Sequence, residues 1–207
     1  MFSLNLQERF QSLMTSYETS EDIIEDLWSK IHQFYSKKER AYHNLNHLQE
    51  LFKYHDLYKE QLSSPDIVSF SIFYHDIIYD IWKKDNEEKS AEVALIELQK
   101  IDLPYLFYKE IENQILATKT HQAASLDGKF MVDFDLSILG QSNKIYTDYT
   151  QKIRKEYRLI PSILYKKGRK KVLEHFLAKE NIYSTVPFKN LYEKQARENL
   201  ANELKTL

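Results

Sequence analysis

The 207-residue chain has no cysteine, which excludes disulfides, zinc-thiolate clusters and a cysteine nucleophile together. Glycine is nearly as scarce. Gly128, Gly140 and Gly168 are the only three, where an average usage of about 7% would supply roughly 14. Their separations of 12 and 28 residues rule out the G-x-G-x-x-G dinucleotide turn and the G-x-x-x-x-G-K-[ST] phosphate loop. No G-x-S-x-G elbow of an α/β-hydrolase is present either. With four prolines besides, the chain lacks the turn punctuation that a sandwich or barrel of short strands requires. No uncharged apolar run approaches the roughly 20 residues of a membrane span, and Met1–Phe10 lacks a basic-then-apolar signal pattern. Basic residues number 29 and acidic ones 31, a net charge of −2, so no whole-protein grip on nucleic acid or anionic lipid is expected. These absences predict a soluble cytoplasmic protein with neither membrane nor nucleic acid as a default partner.

Helix is what remains, and the apolar spacing supports it. Ile23, Ile24, Leu27, Ile31 and Phe34 recur at three-and-four spacing over 20–36, behind Ser20 and the acids Glu21 and Asp22. Similar patterns predict helices over 46–62 and 87–100, with Asp85 and Glu88 as a capping box for the latter. Further helices are expected at 106–121, 143–159, 162–179 and 189–204. Pro65, Pro104, Pro161 and Pro187 stand just before such segments, where a first-turn proline is harmless. No repeat or flexible linker interrupts the series. The expectation is one all-α helical bundle over 1–207, with its core at roughly 20–180 and a C-terminal helix at 189–204 packed on it.

The chemically informative stretch runs from Pro65 to Trp82. Apolar or aromatic residues surround His75–Asp76 there, which predicts a helix buried on every face, Phe70, Phe73, Ile77 and Ile78 included. A carboxylate in such surroundings must be paired or bound to a metal, unless it merely orients a core histidine. His55–Asp56 is the same dipeptide among Lys53, Lys59 and Glu60, and reads as solvated surface. His43 and His47 would share a helix face, or else Asn44 or Asn46 caps a helix and only His47 points inward. Asp133 and Asp135 sit in another apolar run, where i,i+2 spacing separates them by about 200° on a helix, so at most one joins a given site. Asp133 could equally be a helix cap. Two histidines and two aspartates in apolar settings make a mixed nitrogen and oxygen shell suited to Mn, Fe, Ni, Zn or Mg.

The order of these elements resembles the HD-domain metal-dependent phosphohydrolase superfamily, and within it a bacterial branch of predicted HD phosphohydrolases. The phrases that carry the resemblance are RAYHNLNH (40–47), FYHDIIYD (73–80), DNEEKSA (85–91), DFDLSILG (133–140) and IRKEY (153–157). It spans roughly residues 20–205. It implies an all-α HD-type fold and a divalent metal ion held by His47, His75, Asp76 and Asp135, with Asp133 supporting or capping. It also implies a place near the substrate or a second metal for His121, which could alternatively complement the end of its helix.

That set implies hydrolysis of a phosphate ester or anhydride of a small molecule, nucleotides included, by a metal-activated water. Charge developing on the phosphoryl group calls for fixed cations. Residues 152–171 hold nine Lys or Arg against the single Glu156, and Arg154 and Arg169 are the candidate catalytic forks, with Gly168 offering a helix end that turns Arg169 inward. Tyr42, Tyr74 and Tyr79 belong either to a pocket or to the core. One alternative is a non-catalytic helical metal-containing module binding RNA or a phosphorylated partner through 152–171. Another is a di-iron oxygenase recruiting His121 and Asp80.

Overall fold

Ten α-helices and two short 3-10 segments, without a strand, make up residues 5–207, the part of the chain that this computed structural model describes. Residues 1–4, which belong to the expected 1–207 domain and to Met1–Phe10, lie outside the described residues. In chain order the helices are α1 (Leu6–Thr15), α2 (Glu21–Tyr35), α3 (Leu45–Tyr58), α4 (Pro65–Tyr74), α5 (Asn86–Leu98), α6 (Tyr105–Thr120), α7 (Leu126–Leu136), α8 (Asn143–Glu156), α9 (Ser162–Ala178) and α10 (Val186–Thr206). The all-α reading holds. None of these helices is long and apolar enough to cross a membrane.

Helix α4 is the axis of the fold. Pro65 opens it, every residue from Ile67 to Tyr74 is buried, and α3, α5, α6 and α7 all pack on it. The rings of Phe10 and Phe52 close on Phe73 at 5.0 and 4.7 Å between centroids, which ties α1 and α3 to this axis. A second aromatic cluster holds α10 to α3 and α7, where Phe188 lies 5.3 Å from Tyr54 and 5.7 Å from Phe134. Gly140 lets α10 come this close: a Cβ there would meet the Tyr183 hydroxyl and the Tyr192 carbonyl at 2.9 Å.

Several expectations are corrected. The central helix does not run from 65 to 82; it ends at Tyr74, and residues 75–85 are irregular. The freed backbone groups find side-chain partners instead. Arg40 donates to the carbonyls of Asp76 and Ile77 at 2.6 and 2.8 Å, and Tyr35 donates no proton there but accepts from the Asp76 amide at 3.1 Å. Ser90 serves Ile78, and Asn86 serves Asp80. Phe70, Phe73 and Ile77 are fully buried, while Ile78 is half-buried and Trp82 exposed. Asp85 stands at the α5 cap position without a side-chain cap bond, and Ser20 does the same at α2. His55 is not surface: it is buried, with Nε2 3.0 Å from the Pro65 carbonyl and 3.1 Å from Ser69 Oγ, and only Asp56 reaches solvent, paired with Arg9. Helices α1 and α7 were not expected. The first is set by an Asn5–Glu8 capping box, the second by Ser125.

Candidate metal centre

Three elements converge on one point. Asn44 caps α3 by accepting from the Asn46 amide, which leaves His43 outside the helix and turns His47 inward. His75 is the C-cap of α4, with Asp76 immediately beyond. Asp135 comes from the last turn of α7. His47 Nε2 lies 3.2 Å from both His75 Nε2 and Asp135 Oδ1, and 3.9 Å from Asp76 Oδ2. His75 Nε2 lies 3.2 Å from Asp76 Oδ2 and 3.8 Å from Asp135 Oδ1.

Donor atoms about 2.1 Å from a shared ion stand roughly 3.0–3.4 Å from one another, so the three 3.2 Å pairs fit a common cation as they stand, while the 3.8 and 3.9 Å pairs would close by about half an ångström on binding. The tautomer fits too. His75 Nδ1 donates to the Ile72 carbonyl at 2.9 Å, so Nε2 is the nitrogen turned to the cluster, and its lone pair becomes available once a metal ion displaces the proton there. His47, His75 and Asp135 therefore form a group that could hold a metal ion. Burial works against charge at His75, but Asp76 and Asp135 outweigh it and push its pKa up to about 9. Burial prevails at His47, whose pKa falls. The facing imidazoles keep both aspartates below the usual carboxylate range despite their desolvation.

The cluster opens into a cavity of about 410 Å³ lined by Tyr42, His43, Asp76, Tyr79, His121 and Asp135, with Lys83, Lys84 and Lys119 also on its wall. Tyr42 and Tyr79 thus belong to the pocket, and Tyr74 to the core. His121 ends α6 in the left-handed region at φ 54°, its ring packed at a tilt against Phe176 at 4.8 Å. Burial drives its pKa down to about 4, so its ring is neutral. It faces the cavity but stands outside the His47–His75–Asp135 group.

The two arginines are placed differently from the expectation. Arg154 donates to the Tyr157 and Ile160 carbonyls and to Ser162 Oγ, closing the turn after α8, and is not on the cavity wall. Arg169 does line the cavity, but its fork holds Glu203 at 2.7 and 2.9 Å. Gly168 sits inside α9, not at a helix end. Asp80 caps the Trp82 amide locally and takes no part in the cluster.

Glu156 is the residue the sequence reading left unassigned. Its side chain is 1% exposed, and it accepts from the amides of Tyr42 and His43, from His43 Nδ1 and from the Tyr79 hydroxyl. Its signal was its isolation as the one acid in a basic run, three residues after the buried Ile153 on the same helix face. No protein-family model, no curated protein and no solved structure matches the chain.

Proposed function

We propose that the chain is a metal-dependent phosphohydrolase of the HD-domain type, acting on a phosphate ester or anhydride of a small molecule. The observation that carries this reading is the set of two imidazole nitrogens and two carboxylate oxygens, 3.2–3.9 Å apart across the pairs measured, whose Asp76 and Asp135 line a cavity that also carries lysines. His47, His75 and Asp135 would hold the ion, with Asp76 as fourth ligand. A divalent ion bound there would polarise a phosphoryl oxygen and lower the pKa of a bound water towards 7. The chain's own part is orientation: the Ile72 carbonyl fixes the His75 ring, Arg40 pins the backbone at 76–77, and Lys83 and Lys84 bring positive charge to the cavity wall, which would favour an anionic substrate.

The test is to load the purified protein with Mn, Fe, Ni, Zn or Mg and screen nucleotides, pyrophosphate and phosphomonoesters, with elemental analysis of the same preparation. Phosphate release that disappears in His75→Ala together with the metal supports the reading. Metal retained by His75→Ala, or a loaded protein that releases no phosphate from any substrate, overturns it.

One observation favours the second reading, a module that binds RNA or a phosphorylated partner. Of the nine cations in 152–171, Lys152, Lys155, Arg158, Lys166, Lys167, Lys170 and Lys171 are exposed. Salt-dependent RNA binding by a loaded but inactive protein is its distinguishing result.

A further inference from the structure

The proposed ligand set leaves His43 and Glu156 unused. Glu156 is a buried carboxylate without a Lys or Arg partner, and its charge is met by four hydrogen-bond donors. Two of them, the Tyr42 and His43 amides at 2.8 and 2.9 Å, tie down the loop before α3. The other two act on a ring. His43 Nδ1 lies 2.8 Å from Oε2, and the Tyr79 hydroxyl donates to the same oxygen at 2.8 Å.

A carboxylate can only accept, so Nδ1 of His43 carries a proton in either charge state, and Nε2 carries the transferable one when the ring is the imidazolium paired with Glu156. Nε2 has no protein partner, yet it is not among the buried unpaired atoms, and the ring lines the cavity together with Asp76 and Asp135. Tyr79 at 4.3 Å and Tyr42 at 5.0 Å hold the imidazole from its sides. The ring meets that of His47 edge to face, 5.7 Å between centroids, which places it directly beside the ligand cluster. His121, the other histidine on this wall, has no carboxylate to orient it and rests on Phe176.

Resting on the phosphohydrolase reading, we propose that His43 is a further catalytic residue, whose Nε2 contacts the bridging oxygen of the scissile bond and protonates it, with Glu156 as its positioning residue. The water oxygen bonds to phosphorus while the bond from phosphorus to the bridging oxygen breaks, its electron pair going to that oxygen. The proton from Nε2 completes the alcohol or phosphate that leaves, and the surplus proton of the attacking water restores His43. The net change is addition of one water across the ester.

Two measurements test this. In the first, wild type, His43→Gln and Glu156→Gln, matched for metal content and helicity, are compared on p-nitrophenyl phosphate and on an alkyl or nucleoside phosphate. An alkoxide leaving group needs the proton and a nitrophenolate does not, so His43→Gln should lose about 10²–10⁴-fold on the alkyl ester and far less on the aryl one, and Glu156→Gln should show the same split more weakly. Equal loss on both esters, or none, overturns the proposal.

The second measurement needs no turnover. In ¹⁵N-histidine spectra of the metal-loaded wild type, inorganic phosphate should shift His43 Nε2, and Glu156→Gln should diminish the shift. An unmoved Nε2 overturns the proposal even in an active enzyme. A shifted Nε2 in a protein that hydrolyses no phosphoester instead refutes the hydrolase reading, and proton transfer by His43 with it.

Discussion

Asp133 and Asp135 leave α7 in opposite directions. Asp133, fully buried, accepts from the Ser184 amide at 2.8 Å and from the amide and hydroxyl of Thr185 at 2.7 Å, and so anchors the start of α10. Asp135 Oδ1 instead lies 3.2 Å from His47 Nε2. One acid secures the fold and the other faces the site, as a separation of about 200° around the helix demands.

Their alanine variants should therefore fail differently. Asp133→Ala strands the donors at 184–185 and should cost about 2–5 kcal/mol of stability, while the folded fraction still retains metal. Asp135→Ala should fold as well as wild type but lose the metal. Thermal melts and elemental analysis of the two proteins decide this, and an Asp135→Ala protein with full metal content would remove Asp135 from the ligand set.

Arg169 and Glu203 form a nearly buried bidentate pair that Tyr146 also joins. Removing one partner leaves the other charge buried and uncompensated, at about 3–5 kcal/mol. Arg169→Ala is thus expected to lower the melting temperature before it says anything about turnover, and Arg169→Met paired with Glu203→Leu should recover most of the loss. A melting temperature unchanged in Arg169→Ala would contradict the pairing and return the guanidinium to the role of a free phosphate clamp.

Gly140 and Gly168 should respond to alanine with opposite signs. A Cβ at Gly140 collides with the Tyr192 backbone, and the overpacking should cost about 1–3 kcal/mol. Gly168 lies inside α9 with nothing within 4 Å of an added Cβ, so Gly168→Ala should gain roughly 0.5–1 kcal/mol from helix propensity. Denaturant midpoints of both variants check the two signs.

Much of the helical layout was legible because each long helix carries its own apolar spacing, and α2, α6, α8 and α9 begin and end within about three residues of expectation. Helix α7 was hidden by the opposite feature: nearly all its residues are buried, so no polar face marks its period. The end of α4 was hidden because Tyr74, His75 and Ile77 continue an apolar run, and what stops the helix is Arg40, 36 residues away from Asp76, satisfying the freed carbonyls. Local sequence carries no trace of such a partner. His55 was misjudged for the same reason, since Ser69 and the Pro65 carbonyl reach it from the neighbouring helix. In the site, the candidates at 47, 75, 76 and 135 meet, whereas the arginine forks were named from charge alone, and charge does not say that Glu203 has already claimed Arg169 or that the carbonyls after α8 have claimed Arg154.

His121 gives the pH dependence. Burial holds its pKa near 4, below the ordinary value of 6.5 for the unfolded chain, so folding favours the neutral ring. Above pH 6.5 neither state binds the proton and the full contribution to stability is present. As pH falls from 6.5 towards 4, the unfolded chain takes up a proton that the folded one refuses, and stability drops by up to about 1.4 kcal/mol per pH unit. Asparagine does not titrate and tolerates the left-handed backbone at this position, so His121→Asn isolates the effect. Buried His55, whose pKa is also lowered, contributes equally to both proteins and cancels in the comparison. Chemical denaturation at half-unit steps from pH 7 to 4.5 should show wild type losing more stability than His121→Asn, with the gap opening below pH 6.5, and an imidazole titration by NMR should place His121 near 4. Parallel stability curves over that range, or a midpoint near 6.5, would mean that the ring is open to water and free to carry charge in the cavity.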